Sequence, residues 1–113
     1  MGRYESLKNY RDFRNVYNNG KSYANKYLVM YILENGTDIN RVGISVSKKV
    51  GNSIVRHRLT RLIRESVRLN SDKVKNGYDI VIIARNGLKD KKYADAESAF
   101  LHLVKLHKIN TER

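Results

Sequence analysis

The strongest structural signal in this chain lies in residues 41–69, which read RVGISVSKKVGNSIVRHRLTRLIRESVRL. Val42, Ile44 and Val46 alternate with small or polar residues, and this alternation predicts a strand over residues 41–47. After a polar loop, apolar residues return at helical spacing and predict a helix that Ser53 caps and that ends near Leu69. The apolar stripe of that helix consists of Val55, Leu59, Leu62, Ile63, Val67 and Leu69.

Further elements precede this strand and helix. Asn9 is positioned to cap a helix over residues 10–18, and residues 27–33 alternate as a strand. Residues 21–35 contain either one strand or two. The first part of the chain therefore reads as a helix followed by one or two strands.

The pattern continues after residue 69. Residues 78–84 are apolar on both faces, so we expect a covered central strand, and residues 93–107 show the spacing of a last helix. The element order is then αβββαβα, or αββαβα if residues 21–35 form a single strand. Both orders describe a layered α+β domain with helices on a sheet, and the length predicts one domain over residues 1–113.

Composition excludes several classes of protein. The chain has no cysteine, which rules out a disulfide framework, a thiolate zinc site and a cysteine nucleophile. The longest apolar run, residues 27–33, is far too short to span a membrane. The first residues show no secretory signal, so we expect a cytoplasmic protein.

The positive charge is concentrated in one part of the sequence. Lys and Arg number 23 against 11 Asp and Glu, which gives a net charge of +12. Residues 41–68 hold eight of the basic residues and a single acid, Glu65. Such a field attracts a polyanion, and composition alone leaves nucleic acid, an anionic membrane and an acidic protein open.

Five of these basic residues are arginines on the predicted helix. An ordinary solvated helix face mixes both signs, because oppositely charged side chains three or four residues apart attract each other. Here Glu65 is the only acid among them, and guanidinium groups suit phosphate oxygens. The helix therefore predicts a polyanion-binding surface. Its arginines are Arg56, Arg58, Arg61, Arg64 and Arg68.

Two weaker features accompany the arginine helix. Lys48 and Lys49 precede its N-terminus, a position that suits a phosphate contact as well as an ordinary turn. Aromatic residues at positions 13, 17, 27 and 31 suit either the core or a platform on which unpaired bases stack. The residues alone do not choose between these alternatives.

The histidines give little support to a catalytic site on the protein. His102 and His107 are five residues apart, which is not the spacing of a zinc pair, and the acids show no metal-type spacing. His57 has no orienting carboxylate near it in sequence except Glu65. We therefore expect no catalytic side chain and no metal-ligating side chain in this chain.

At this point the sequence resembles a known family, the protein subunit of bacterial ribonuclease P. The resemblance is carried by residues 42–65, which run from Val42-Gly43-Ile44 to Ile63-Arg64-Glu65, and by residues 78–85, YDIVIIAR. Shorter matches at residues 12–13, 16–17, 20–21 and 28–31 extend it along nearly the whole chain.

The resemblance implies a fold and a partner. The fold would be a two-layer α-β sandwich with a left-handed β-α-β crossover, like the second domain of ribosomal protein S5, although right-handed crossovers are the rule. The catalyst would be a partner RNA that uses Mg²⁺, and the complex would act as an endoribonuclease that removes the 5′ leader of precursor tRNA. The protein would be a monomer, with one copy per RNA and no membrane contact.

The resemblance also implies two groups of binding residues. The first would hold the single-stranded leader and comprises Phe13, Tyr17, Tyr31, Arg56, His57, Thr60 and Arg64. The second would bind the RNA subunit or phosphates and comprises Lys48, Lys49, Asn52, Arg58, Arg61 and Arg68. Two residues depart from the family pattern, because His57 replaces an asparagine and Thr60 replaces a basic residue.

Other functions remain as alternatives. A structural RNA-binding protein of the ribosomal type would bind folded RNA whether or not it carried a 5′ extension. A protein-only nuclease centred on His57 would cleave RNA without any RNA partner. An anionic membrane binder is least favoured, because the apolar stripe of the basic helix is typical of a core rather than of a lipid contact.

Overall fold

The computed structural model describes residues 4–111 and contains five strands and three helices in that range. In chain order these are β1 (Tyr4–Ser6), α1 (Tyr10–Asn19), β2 (Lys21–Ala24), β3 (Leu28–Glu34), β4 (Asn40–Ser45), α2 (Ser53–Leu69), β5 (Tyr78–Ala84) and α3 (Tyr93–Leu106). Short 3₁₀ turns follow α2 and β5.

The strands form one mixed sheet in the order β1-β4-β5-β3-β2. β4 runs parallel to β1 and to β5, whereas β3 pairs antiparallel with both β5 and β2. The predicted central position of β5 is confirmed, because neighbours cover both of its edges. α2 joins β4 to β5, which makes the β-α-β unit that the resemblance implied.

The three helices lie on two different faces of the sheet. Leu28, Met30 and Ile32 point from β3 into the main core, which α2 and α3 close. On the other face a smaller cluster joins Val16 of α1 to Val81 of β5. α2 and α3 therefore form the helical layer of the α-β sandwich, and α1 covers part of the opposite face.

The predicted order αβββαβα is confirmed, and residues 21–35 contain two strands. Asn25 makes the turn between them, since its Oδ1 accepts hydrogen bonds from the backbone N–H groups of Tyr27 and Leu28. One strand, β1, was not predicted, because three residues are too few to show a periodicity. In the described part of the chain, no helix is long and apolar enough to cross a bilayer.

The boundaries of two elements differ from those predicted. Asn52, not Ser53, caps α2, because its Oδ1 accepts a hydrogen bond from the N–H of Val55 at 3.0 Å. β4 ends at Ser45 rather than at residue 47. The chain then turns, and the N–H of Val50 donates to the carbonyl of Ser47.

Candidate nucleic-acid interface

Three aromatic rings meet on the face of the sheet that α1 covers. The ring centroids of Phe13 and Tyr17 are 6.4 Å apart, and Tyr17 meets Tyr31 edge-on with centroids at 5.1 Å. Phe13 and Tyr31 are half-buried and Tyr17 is 38% exposed. We call these three residues the ring cluster. Its rings pack on one another and on the sheet, and they still present surface to solvent.

Small residues of β4 make room for the ring cluster. A Cβ atom at Gly43 would lie 2.4 Å from Cζ of Phe13, which is closer than any real contact allows. Ser45 lies on the same face two residues later. Burial and the neighbouring Tyr31 raise the pKa of Tyr17, with a smaller opposite effect from Ser45, so the phenol is neutral at pH 7. The effect of Ser45 on Tyr17 also shows that Ser45 lies beside the ring cluster.

An ion-pair network holds α1 against the sheet. Arg41 of β4 donates two hydrogen bonds to the buried carboxylate of Asp79, from Nε at 2.8 Å and from Nη2 at 2.6 Å. A third bond runs from its Nη1 to Asp12 of α1 at 3.3 Å. Hydrogen bonding to Asp79 raises the pKa of Arg41. This arginine is thus occupied by acids of the same chain.

A basic groove of about 520 Å³ runs between α2 and the end of β4. No carboxylate lines it, and within residues 4–111 its three arginines form no ion pair. The Nε of Arg56 is buried there without a hydrogen-bond partner. Ser45 connects the groove to the ring cluster. The lining residues are Ile44, Ser45, Val46, Ser53, Arg56, His57, Thr60, Arg61 and Arg64.

β4 also has a free backbone edge at Ile44, a residue that lines the groove. β1 pairs with β4 only as far as Val42, whose carbonyl accepts the N–H of Leu7 at 2.9 Å. In a parallel strand, alternate residues direct their peptide groups toward the same neighbour. The N–H and carbonyl of Ile44 therefore point toward the edge that β1 leaves free. A bound strand would meet a backbone donor and three guanidinium groups together.

Four of the α2 residues predicted to hold the leader lie in the groove, and the three rings lie beside it. Arg56, His57, Thr60 and Arg64 line its α2 wall. The hydroxyl of Thr60 donates to the carbonyl of Arg56 at 2.8 Å, so its proton is already used. Arg61, which was grouped with the residues for the RNA subunit, also lines the groove.

The other predicted residues of α2 have partners within the protein. Arg58 donates to the backbone carbonyls of Lys89, at 3.2 Å, and of Lys91. Arg68 pairs with Glu65 through two hydrogen bonds, one of them from Nε at 3.1 Å. Arg68 is exposed and keeps part of its fork free for another anion. Neither Arg58 nor Arg68 lines the basic groove.

The loop before α2 presents its lysines to solvent. Lys48 and Lys49 are exposed in the turn between β4 and α2. Asn52 uses its Oδ1 as the helix cap, which leaves its amide nitrogen as a donor for another group. These three residues form one exposed, basic surface at the N-terminus of α2.

Sequence reasoning missed several parts of this site. Ile44, Ser45, Val46 and Ser53 line the groove, but no residue pattern marks them as binding groups. β4 extends beyond the last residue that pairs with β1, and β1 is too short a strand to predict. Within residues 4–111, no group of three or more His, Asp or Glu side chains is arranged to hold a metal ion.

Comparison with known proteins points to one family. A family model described as Ribonuclease P matches residues 1–108. The ribonuclease P protein component of Lachnoclostridium phytofermentans is 66% identical over 105 residues, which cover 93% of this chain and 90% of that protein. The corresponding protein of Clostridioides difficile is 58% identical over 106 residues, 93% of each chain.

Solved structures agree with the sequence comparison. The RNase P protein of Staphylococcus aureus matches with a TM-score of 0.86 at 34% identity, over 95% of this chain and 98% of that chain. The RNase P protein from Thermotoga maritima matches with a TM-score of 0.83 at 35% identity, over 90% and 96% of the two chains. The fold, the basic groove and these matches agree, and the chain belongs to the ribonuclease P protein family, the RNA-binding protein components of a tRNA-processing endonuclease.

Proposed function

We propose that this chain binds the single-stranded 5′ leader of precursor tRNA and the catalytic RNA of ribonuclease P, and so assists removal of the leader. The observation that supports leader binding most directly is the basic groove with its three unpaired arginines beside the ring cluster. A cytoplasmic monomer, one copy per RNA, fits this role.

The groove and the ring cluster would bind different parts of one strand. Arginine forks pair with phosphate oxygens, and each neutralised phosphate releases counterions. An unpaired base that stacks on an aromatic ring gains about 1–3 kcal/mol, with little dependence on its identity. A leader that crosses Ser45 would place bases against Tyr17 and Tyr31 and phosphates against Arg56 and Arg64.

The chemistry of cleavage would belong to the RNA. In this proposal Mg²⁺ would be held by the RNA subunit and would supply the activated water and charge stabilisation for hydrolysis. The side chains of this protein would bind and orient the leader so that the scissile bond reaches the RNA active site. The neutral phenol of Tyr17 would donate a hydrogen bond to the strand without adding negative charge.

A separate surface would bind the RNA subunit. Lys48, Lys49 and Asn52 form its exposed part, and Arg68 adds the free part of its guanidinium. Arg58 would contribute through the donors that its two carbonyl partners leave unused. Arg61 lies in the groove, so we assign it to the leader rather than to the RNA subunit.

The test compares precursor tRNA with mature tRNA. The assembled complex should bind a precursor that carries a short leader more tightly than mature tRNA, and Tyr31→Ala should reduce that preference about 5- to 100-fold. Affinity for mature tRNA should stay within twofold. Lys105→Gln, an exposed change on α3 far from the groove, serves as the control.

The alternative function gives a different result. A structural RNA-binding protein of the ribosomal type would bind both RNAs equally, and Tyr31→Ala would weaken both or neither. No leader preference in the unaltered complex would contradict the proposed function. Cleavage by the purified protein without RNA, abolished by His57→Ala, would support the protein-only nuclease instead.

A further inference from the structure

A second aromatic site lies outside the groove and the ring cluster. The Nζ atoms of Lys26 and Lys91 lie 5.6 and 5.8 Å from the centroid of the Tyr27 ring. The ring borders a cleft of about 270 Å³ that α3 closes from the other side. The cleft is lined by Asn25, Lys26, Tyr27, Asp95, Ser98, Ala99 and His102.

The frame around Tyr27 is rigid. Asn25 fixes the preceding turn and also reaches α3, where its Nδ2 donates to the carbonyl of Ala99 at 3.0 Å. The carbonyl of Tyr27 accepts the N–H of Arg85 at 2.9 Å. The backbone of Tyr27 is therefore held by groups other than its ring. Replacing the ring should leave the turn in place.

This cleft lies at the same end of the sheet as the basic groove. Ser45 pairs with Ile83, and Ile83 pairs with Val29, two residues after Tyr27. Two strand spacings, about 10 Å, thus separate β4 from β3 at this end. Arg58 joins the two regions, because it extends from α2 and holds the carbonyl of Lys91. A large RNA that covers the N-terminus of α2 would reach both.

The chemistry of the cleft suits a nucleotide. An exposed ammonium at nearly 6 Å from a ring contributes little interaction free energy. A base stacked on the ring contributes more, so it can displace a lysine from the ring. The displaced ammonium groups would then pair with the phosphate. On the α3 side, Ser98 and the second carboxylate oxygen of Asp95 can hydrogen-bond a base edge, since Oδ2 of Asp95 already accepts the N–H of Lys92 at 3.0 Å. The carboxylate would repel a phosphate. These groups orient the base toward α3 and the phosphate toward the lysines.

We propose that Tyr27, Lys26 and Lys91 form a nucleotide site that holds one unpaired nucleotide of the catalytic RNA. The inference rests on the proposed function, since it assumes that this RNA is the partner. The leader is not the expected occupant, because Tyr27, Lys26 and Lys91 neither line the basic groove nor belong to the ring cluster. Arg58, which is assigned to the RNA-subunit surface, donates to the carbonyl of Lys91. The site extends the RNA-subunit surface from Lys48 and Lys49 across to β3.

The experiment measures the affinity of the full chain for the catalytic RNA at fixed salt. Tyr27→Leu keeps an apolar side chain but removes the aromatic face, and it should weaken binding about tenfold. Tyr27→Phe keeps the face and should bind within twofold of the unaltered protein. Thermal unfolding of both variants shows whether the fold is retained.

A charge experiment gives an independent measurement. Lys26→Gln with Lys91→Gln should make the slope of log K against log salt less steep by about one to two, as expected for the loss of one or two phosphate contacts. Lys75→Gln with Lys105→Gln removes the same charge from exposed positions away from the cleft and should change the slope less. If Tyr27→Leu is unfolded, the comparison of these two double variants tests the nucleotide site instead.

The outcomes separate this inference from the proposed function. Equal affinity of Tyr27→Leu and Tyr27→Phe for the catalytic RNA, with the effect of Tyr31→Ala on leader preference intact, would overturn the nucleotide site alone. A loss of leader preference in Tyr27→Leu, without weaker binding of the catalytic RNA, would assign the cleft to the leader and contradict the proposal. Absence of any leader preference in the unaltered complex would contradict the proposed function instead.

Discussion

Phe13 packs directly over Gly43, and its ring occupies the space that any larger residue at position 43 would need. This contact sets the height of α1 above the sheet and hence the position of the ring cluster. Gly43→Ala would push its Cβ into the ring, and relief of that overlap costs about 1–3 kcal/mol of stability. We expect a lower midpoint in urea unfolding and a smaller preference for precursor over mature tRNA.

A double variant tests whether the effect of Gly43→Ala passes through Phe13. Phe13→Leu removes part of the ring that the new methyl group meets, so the two changes together should cost less stability than the sum of their separate costs. Additive losses would show that Gly43→Ala acts through some other contact.

The pair formed by Arg41 and Asp79 predicts a strong effect on stability. Asp79 is only 2% exposed, and removal of Arg41 leaves its carboxylate without a cation. Loss of one partner of a buried ion pair typically costs about 3–5 kcal/mol of stability. Because Arg41 is partly exposed and water can replace some of its bonds, Arg41→Leu should fall at or below the lower end of that range. Urea unfolding measures the loss. A change of less than about 0.5 kcal/mol, as for a typical surface pair, would contradict this assignment.

His107 predicts a loss of stability in mild acid. Its Nε2 donates to the carbonyl of Met30 at 2.8 Å, its Nδ1 is buried without a partner, and burial lowers its pKa. The unfolded chain, with a histidine pKa of about 6.5, then binds the proton more readily than the folded protein. The contribution of His107 to the free energy of unfolding is fully present above the pKa of the unfolded chain. It is lost as the pH falls toward the pKa of the folded protein.

Unfolding free energies between pH 7.5 and 5 test the role of His107. The neighbouring titratable groups are Lys21 and Tyr23, whose ring centroid is 4.8 Å from that of His107. His107→Gln should flatten the pH dependence, whereas His57→Gln, at an exposed position, serves as the control. Parallel curves for His107→Gln and the unaltered protein would remove His107 as the cause.

Thr60 predicts a gain of binding. It lines the basic groove among arginines, so Thr60→Lys adds a cation where a phosphate would lie. Leader affinity should rise at moderate salt, and the slope of log K against log salt should become steeper by about one. Arg64→Gln should change the slope by about the same amount in the opposite direction. An unchanged slope in Thr60→Lys would show that position 60 does not face the strand.

Most of the fold could be predicted from the sequence because its elements carry strong local periodicity. β5 begins and ends where the apolar pattern indicates, at residues 78–84. α2 ends at Leu69 as predicted and begins only one residue earlier than predicted, at Ser53. β1 could not be predicted, because three residues show no pattern and the strand exists only through pairing with β4. The face on which each helix lies also depends on contacts between distant residues.

The types of residue in the candidate site could be predicted from the sequence, but which of these residues lie together could not. The excess of arginine on α2 indicated a polyanion surface, and the structure places Arg56, Arg61 and Arg64 in one groove. The prediction grouped Arg61 with Arg58 instead of with Arg56 and Arg64. No local pattern could correct this, because the partners of Arg58 are backbone carbonyls more than thirty residues away. The half-buried state of the rings likewise results from the close approach of α1 at Gly43.

The path of the leader is the most direct test of this account. A precursor tRNA with a photoreactive 4-thiouridine at single leader positions can be crosslinked within the assembled complex, and the modified peptides identified by mass spectrometry. We predict crosslinks at Phe13, Tyr17 or Tyr31 from one leader position and at residues of the basic groove from a neighbouring position. Crosslinks confined to α3 or to the outer face of β2, with none at the rings or the groove, would contradict it.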